Sequence, residues 1–358
     1  MNTPLPFAFD PLAVAQEMAA FQRKLAAGLQ TLRGLPEPEY ANTPREVVYR
    51  EDKLTLWHML GERAPTAKTP TLIVYALVNT VWMTDLQPDR SLVRNLLAQG
   101  EDVYLIDWGY PDGADRWLTL DDYLNGYLDR CVDAILRRHG VASVNLLGIC
   151  QGGTFSLCYS AMHPDKVARL VTMVTPVDFR TPDNTLSHWA QDIDVDLMVD
   201  ALGNIPAELM NGVYLMLKPL RLTQQKYVAM VDILHDPKAL EDFLRMERWI
   251  FDSPDLAGEA FREFIKGFYQ ENRLVKGGLE IGGHPVALQA IDQPVLNIYA
   301  EQDHLVPPEA SRALGRLIGS RDYTELAFKG GHIGIYVSGR AQREVAPAIH
   351  RWLHERGG

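Results

Sequence analysis

Apolar positions along the chain change period several times, and each change marks an element. Short apolar runs at 71–77, 102–107, 141–147, 168–174 and 294–300 have the length of buried strands. Between them lie stretches with helical spacing, at 91–99, 120–138 and 153–163, the last stopping before Pro164. Strand and helix therefore alternate, which predicts a mostly parallel sheet with helices on both faces. Two shorter strands, 46–50 and 54–59, precede this series and pattern as a hairpin at a sheet edge. A helix at 308–318, a strand at 323–328 and an amphipathic helix at 340–354 close the chain.

The alternation lapses between 180 and 290. Helical spacing dominates there, at 186–202, 206–217, 222–233, 240–249 and 259–270, with many aromatic residues. This segment reads as a helical cap inserted into the sheet domain over an active site, because long insertions near such sites commonly form lids. An ordinary extra helical layer is the plainer reading of the same pattern. Residues 1–43 read as a helical arm, 7–32, followed by a Pro-rich connector at 34–38. The expected organisation is an arm (1–43), a first part of the sheet domain (44–179), the cap (180–290) and a second part (291–358).

Composition narrows the field. At 358 residues with 47% hydrophobic and 23% charged residues, the chain can build a sizeable core. A net charge of -11 argues against nucleic acid and anionic membrane surfaces as partners. Cys131, Cys150 and Cys158 make neither a disulfide framework nor a zinc motif, so a reduced, cytoplasmic compartment is expected. The N-terminus lacks the pattern of a signal peptide, and no apolar run is long enough to predict a membrane span.

One motif carries chemistry. Gly148-Ile149-Cys150-Gln151-Gly152-Gly153 falls between a predicted strand and a predicted helix. That is the setting of a nucleophile elbow, with sulfur where a hydrolase usually carries a serine hydroxyl. The fold class implied is the α/β-hydrolase fold, in which an acid and then a histidine follow the nucleophile along the chain. Asp303 follows the 294–300 strand, and His332 lies in Lys329-Gly330-Gly331-His332-Ile333-Gly334 after the last strand. Cys150, Asp303 and His332 are thus the candidate triad, with His304, adjacent to Asp303, as the competing base. The backbone N–H groups of Val78 and Gln151 are the candidate oxyanion hole, and the helix N-terminus after Cys150 would favour a thiolate. For Cys131 and Cys158 a small buried apolar role is expected. A thiol in the serine slot forms a thioester, and exchange with a thioester substrate is nearly balanced, which suits acyl transfer between carriers.

Several further stretches accompany the elbow: Tyr75-Ala76-Leu77-Val78-Asn79 with Met83-Thr84-Asp85-Leu86, Leu105-Ile106-Asp107-Trp108-Gly109, and Asp303-His304 with Gly331-His332. Together they resemble the polyhydroxyalkanoate synthases over nearly the whole chain, from about residue 43 onward. Trp249, Asp252 and Pro254 fall in a family-like pattern too, and the short N-terminal arm is similar to that of the class III catalytic subunit. The resemblance implies polymerisation of (R)-3-hydroxyacyl-coenzyme A, typically 3-hydroxybutyryl, into polyester with release of coenzyme A. It implies that Cys150 carries the growing chain as a thioester, that His332 deprotonates it, and that Asp303 activates the 3-hydroxyl of the incoming unit. In ordinary hydrolases the corresponding acid mainly orients the histidine. It also implies a second, non-catalytic subunit, homodimerisation and attachment to polyester granules; no metal or organic prosthetic group is indicated. A Cys-dependent acyl-coenzyme A thioesterase or ester hydrolase of the same fold is the alternative, and a catalytically silent scaffold is a third reading.

Overall fold

The computed structural model describes residues 12, 15–20, 22–24, 34 and 39–357. Eight strands form the main sheet: β1 (Arg45–Glu51), β2 (Leu54–Met59), β3 (Thr71–Val74), β4 (Val103–Asp107), β5 (Val144–Ile149), β6 (Val167–Met173), β7 (Val295–Ala300) and β8 (Tyr323–Phe328). Their spatial order is β1-β2-β4-β3-β5-β6-β7-β8. The first two pairings are antiparallel, so the expected edge hairpin is present, and every other pairing is parallel. β3 lies between β4 and β5, so the chain winds one way from β3 and then the other. In such sheets this switch opens a crevice at the carboxyl ends of the strands.

The apolar runs are buried because the sheet is covered on both faces. Leu72, Ile73, Val74, Leu146, Leu147 and Ile149 have no exposed surface. The helix after β5, Gln151–Met162, is buried continuously from Gly152 to Ser160. A helix without a polar face belongs inside a layered core, and here Phe155 packs edge-on against Phe264.

Several elements differ from expectation, among them the 186–202 helix, which is two helices, Thr185–Gln191 and Val195–Leu202. The third strand leaves the ladder after Val74, because the next residues are held elsewhere. The Tyr75 carbonyl accepts from Trp108 Nε1 at 3.1 Å, and the Leu77 N–H donates to Gln151 Oε1 at 3.0 Å. The 120–138 helix has a π-helical first part, Asp122–Leu128, before the α-helix Asp129–His139. The 308–318 helix is α-helical over Pro308–Arg312 and 3-10 over Ala313–Arg316.

By its contacts the chain divides into two compact units: Met1–Glu39 with Lys218–Arg248, and Tyr40–Leu217 with Trp249–Gly358. The larger holds the sheet and the flanking parts of the helical segment. In the smaller, Val231, Leu234 and Leu240 form an apolar cluster, Lys24 Nζ lies 3.1 Å from Asp232, and Arg245 Nε donates to the Glu39 carbonyl at 2.6 Å. In the expected arm, residues 12, 15–20 and 22–24 are helical, as is Gly34 of the connector, while 39–43 are not; the rest of the arm and connector lies outside the described residues. Among the described residues no helix is long and apolar enough to cross a membrane.

Candidate active site

Strand β5 ends at Ile149 and the helix begins at Gln151, so Cys150 alone makes the bend. It does so at φ 55° and ψ −126°, a conformation that L-residues seldom adopt and that persists only when the surroundings enforce it. Its N–H is tied to the Met173 carbonyl at 2.9 Å. The flanking glycines supply room rather than unusual dihedrals. A Cβ on Gly152 would lie 2.2 Å from the Val74 carbonyl oxygen, and one on Gly153 would lie 1.8 Å from Thr175 Oγ1. The elbow therefore sits hard against the ends of β3 and β6.

Asp303 follows β7, and His332 follows β8. The fold brings them together, with His332 Nδ1 2.7 Å from Asp303 Oδ2 and both side chains almost fully buried. The other carboxylate oxygen, Oδ1, accepts from the Leu305 and Val306 N–H groups at 2.8 and 2.9 Å. Asp303 thus takes three donors on its two oxygens. Burial pushes the His332 pKa down, but the Asp303 carboxylate and the negative charge and hydrogen bonding of Cys150 outweigh it, raising the pKa to about 10. The Cys150 sulfur is therefore close enough to the imidazole to act on its protonation. The His332 ring also meets the Tyr336 ring edge-on at 6.4 Å.

Half-buried Cys150 faces a cavity of about 380 Å³. Its walls are apolar almost throughout, and Asp303 and His332 are not among its lining residues. Val78 and Gln151 line it beside Cys150. Gln151 opens its helix, so its N–H has no intrahelical acceptor. The Gln151 side chain holds the Leu77 N–H, one residue before Val78.

The described residues match a family model for the alpha/beta hydrolase fold over 70–338. A monoacylglycerol lipase of Paleococcus ferrophilus, at 18% identity and TM-score 0.52, covers 86% of this chain and 100% of its own; a putative lipase of Sulfolobus solfataricus, at 15% identity and TM-score 0.53, covers 87% and 99%. These likenesses bear on the fold. Closer sequence relatives are the poly(3-hydroxyalkanoate) polymerase subunits PhaC of Allochromatium vinosum (62% identity, 98% of this chain, 99% of that one) and Thiocystis violacea (59%, 98% and 99%). That of Synechocystis sp. is 53% identical, covering 95% and 92%.

The chain belongs to the poly(3-hydroxyalkanoate) polymerase family.

In this polymerase-family chain the cavity walls are the part that sequence reasoning did not single out. Met210, Val213 and Tyr214 come from the helix Ala207–Met216, and Phe261, Phe264 and Ile265 from the segment that begins with the helix Gly258–Phe264. Both trios have the i, i+3, i+4 spacing that marks one helix face. Ordinary core positions show the same spacing, so the signal could place them on a buried face but not at a cavity. Tyr214 and Tyr269 line the cavity together with Cys150, and burial, with a smaller contribution from the charge of Cys150, raises the pKa of both phenols.

Proposed function

We propose that this enzyme polymerises (R)-3-hydroxyacyl-coenzyme A, with 3-hydroxybutyryl as the expected unit, through a chain held as a thioester on Cys150. The observation that carries this reading is the cysteine at the elbow, beside the Asp303–His332 pair and at the surface of an apolar cavity. His332, with its pKa raised to about 10, holds the thiol proton before the Cys150 sulfur attacks the substrate carbonyl. The Val78 and Gln151 N–H groups receive the developing oxyanion. Collapse of the intermediate breaks the bond to coenzyme A, whose sulfur leaves with the proton from His332. The 3-hydroxyl of the next hydroxyacyl-coenzyme A then attacks the Cys150 thioester as His332 takes its proton. The bond to Cys150 breaks, and the freed sulfur attacks the coenzyme A thioester of the lengthened chain, taking the chain back and releasing coenzyme A with the proton from His332.

The Asp303 side chain, which has no exposed surface and does not line the cavity, supports a role through His332, holding its tautomer and its charge, rather than direct contact with the incoming hydroxyl. An apolar cavity offers water few partners, which favours transfer over hydrolysis. The relatives are named as subunits, and this supports a second, non-catalytic subunit for this chain as well. Homodimerisation and attachment to polyester granules in the cytoplasm belong to the same reading.

Mass spectrometry of the protein after brief exposure to 3-hydroxybutyryl-coenzyme A tests it. Acyl groups should accumulate on Cys150 and lengthen with time, and Cys150→Ala should release no coenzyme A. Free 3-hydroxy acid as the sole product would favour the hydrolase.

A further inference from the structure

The loop that carries Val78 is fastened to a strip of chain that sequence reasoning left without a role. Asn79, next to Val78, has left-handed backbone at φ 60°, a region that asparagine tolerates better than most residues. Its side chain reaches across to the end of the helix Pro237–Phe251: Nδ2 donates to Ser253 Oγ at 2.6 Å and lies 3.5 Å from the Ile250 carbonyl oxygen. One residue further on, the Thr80 carbonyl accepts from Trp249 Nε1 at 2.9 Å, and Trp249 is buried. The strip 249–253 therefore grips the Val78 loop at two consecutive residues.

The same strip is also held by Asn211. Asn211 Nδ2 donates to the Ile250 carbonyl at 3.1 Å, and Ser253 Oγ donates to it at 2.9 Å. A carbonyl in the last turn of a helix lacks an intrahelical partner, and here side chains supply it. Asn211 belongs to the helix that contributes Met210, Val213 and Tyr214 to the cavity wall. The wall that meets the acyl group and the loop that would meet its carbonyl oxygen are thus joined through one short strip.

We propose that Asn79 and Ser253 are positioning residues that set the Val78 N–H against the thioester carbonyl during acyl transfer. This rests on the reading of Val78 as an oxyanion donor in a Cys150 acyl transferase. The pair touches neither the sulfur nor the imidazole. Loosening it misplaces one donor and leaves the nucleophile intact. Outright loss of an oxyanion donor costs about 10²–10³ in rate, so a displaced one is expected to cost on the order of tenfold.

Two variants and two reactions at the same sulfur test the proposal. Ser253→Ala removes the hydroxyl, and Asn79→Gly removes the amide while keeping a residue at ease at positive φ. Alkylation of Cys150 by iodoacetamide forms no oxyanion, whereas acylation by 3-hydroxybutyryl-coenzyme A does. In both variants acylation should slow about tenfold at saturating substrate with KM near that of the parent, while alkylation keeps the parent rate. Parallel loss of both reactions, or an unchanged acylation rate in both variants, overturns the proposal. If the unmodified enzyme is not acylated at Cys150 at all, the underlying functional reading fails first, and that result is seen before any variant is compared.

Discussion

Asp303→Asn separates the two halves of the reaction. In the parent, Oδ1 takes the N–H groups of Leu305 and Val306 and Oδ2 takes His332 Nδ1. An amide in the same place has one acceptor and one donor end. Turning its NH2 toward Leu305 and Val306 would strand two backbone donors, one half-buried and one buried, the buried one at about 1–3 kcal/mol. The oxygen therefore stays on the backbone, and the NH2 faces His332 Nδ1. That nitrogen must then accept, which moves the ring proton to Nε2 and leaves the imidazole unable to receive one. In a serine protease the same substitution lowers kcat by about 10⁴. The two steps here differ in how much they need the base. A thiol is partly ionised near neutrality and strongly nucleophilic, whereas an alcohol must be deprotonated as it attacks. Chain growth should fall by roughly 10³–10⁴ and first acylation by far less. Rapid-quench measurement of the coenzyme A burst, alongside steady-state release and polymer length, reads both steps. Polymerisation within tenfold of the parent, or equal loss in the two phases, would refute the tautomer argument.

The raised His332 pKa makes stability pH-dependent. His332 binds its proton up to about pH 10 when folded but only to about 6.5 when unfolded, so its contribution is complete below 6.5 and disappears as pH rises through 10. Urea midpoints should fall across that window, and less steeply in Cys150→Ala, which removes one source of the shift. Gly153→Ala drives a methyl group to 1.8 Å from Thr175 Oγ1, in a side chain with no exposed surface. Overpacking of this kind costs ~1–3 kcal/mol, measured by denaturant unfolding, and Thr175→Gly in the same chain should recover part of it. Met210→Ala enlarges the acyl cavity; each additional methylene it buries is worth ~0.8 kcal/mol, about fourfold in relative kcat/KM for longer acyl chains. An unchanged ranking of acyl lengths would show that the acyl group lies elsewhere.

The central sheet was legible because strands buried on both faces read as continuous apolar runs, as at 144–149 and 295–300. The elbow was legible because Cys150 stands between such a strand and a helix without a polar face. Asp303 and His332 could be singled out because each follows a strand of that sheet, and the fold brings their side chains together. The end of β3 was not legible: Tyr75 to Leu77 are as apolar as the strand, and only distant partners, Trp108 and Gln151, draw them out of the ladder. The affiliation of 218–248 was equally hidden. Its helical spacing matches that of its neighbours, and its separation from them depends on long-range contacts. The Asn79–Ser253 link joins residues 174 positions apart, so no local pattern announces it.

The two remaining cysteines bear on how the molecule ages. Cys131 and Cys158 have no exposed surface, and burial pushes both thiols well above their usual ionisation range. Cys158 lies eight residues along the same helix from Cys150, about 12 Å at 1.5 Å per residue, too far for a bridge. A sulfenic acid formed on Cys150 therefore finds no resolving thiol there. Under peroxide it must be capped by a small external thiol or proceed to the irreversible sulfinate. Under the proposed mechanism turnover itself becomes the shield, because a sulfur held in a thioester with the chain is not available to oxidants, and an idle molecule is the vulnerable one.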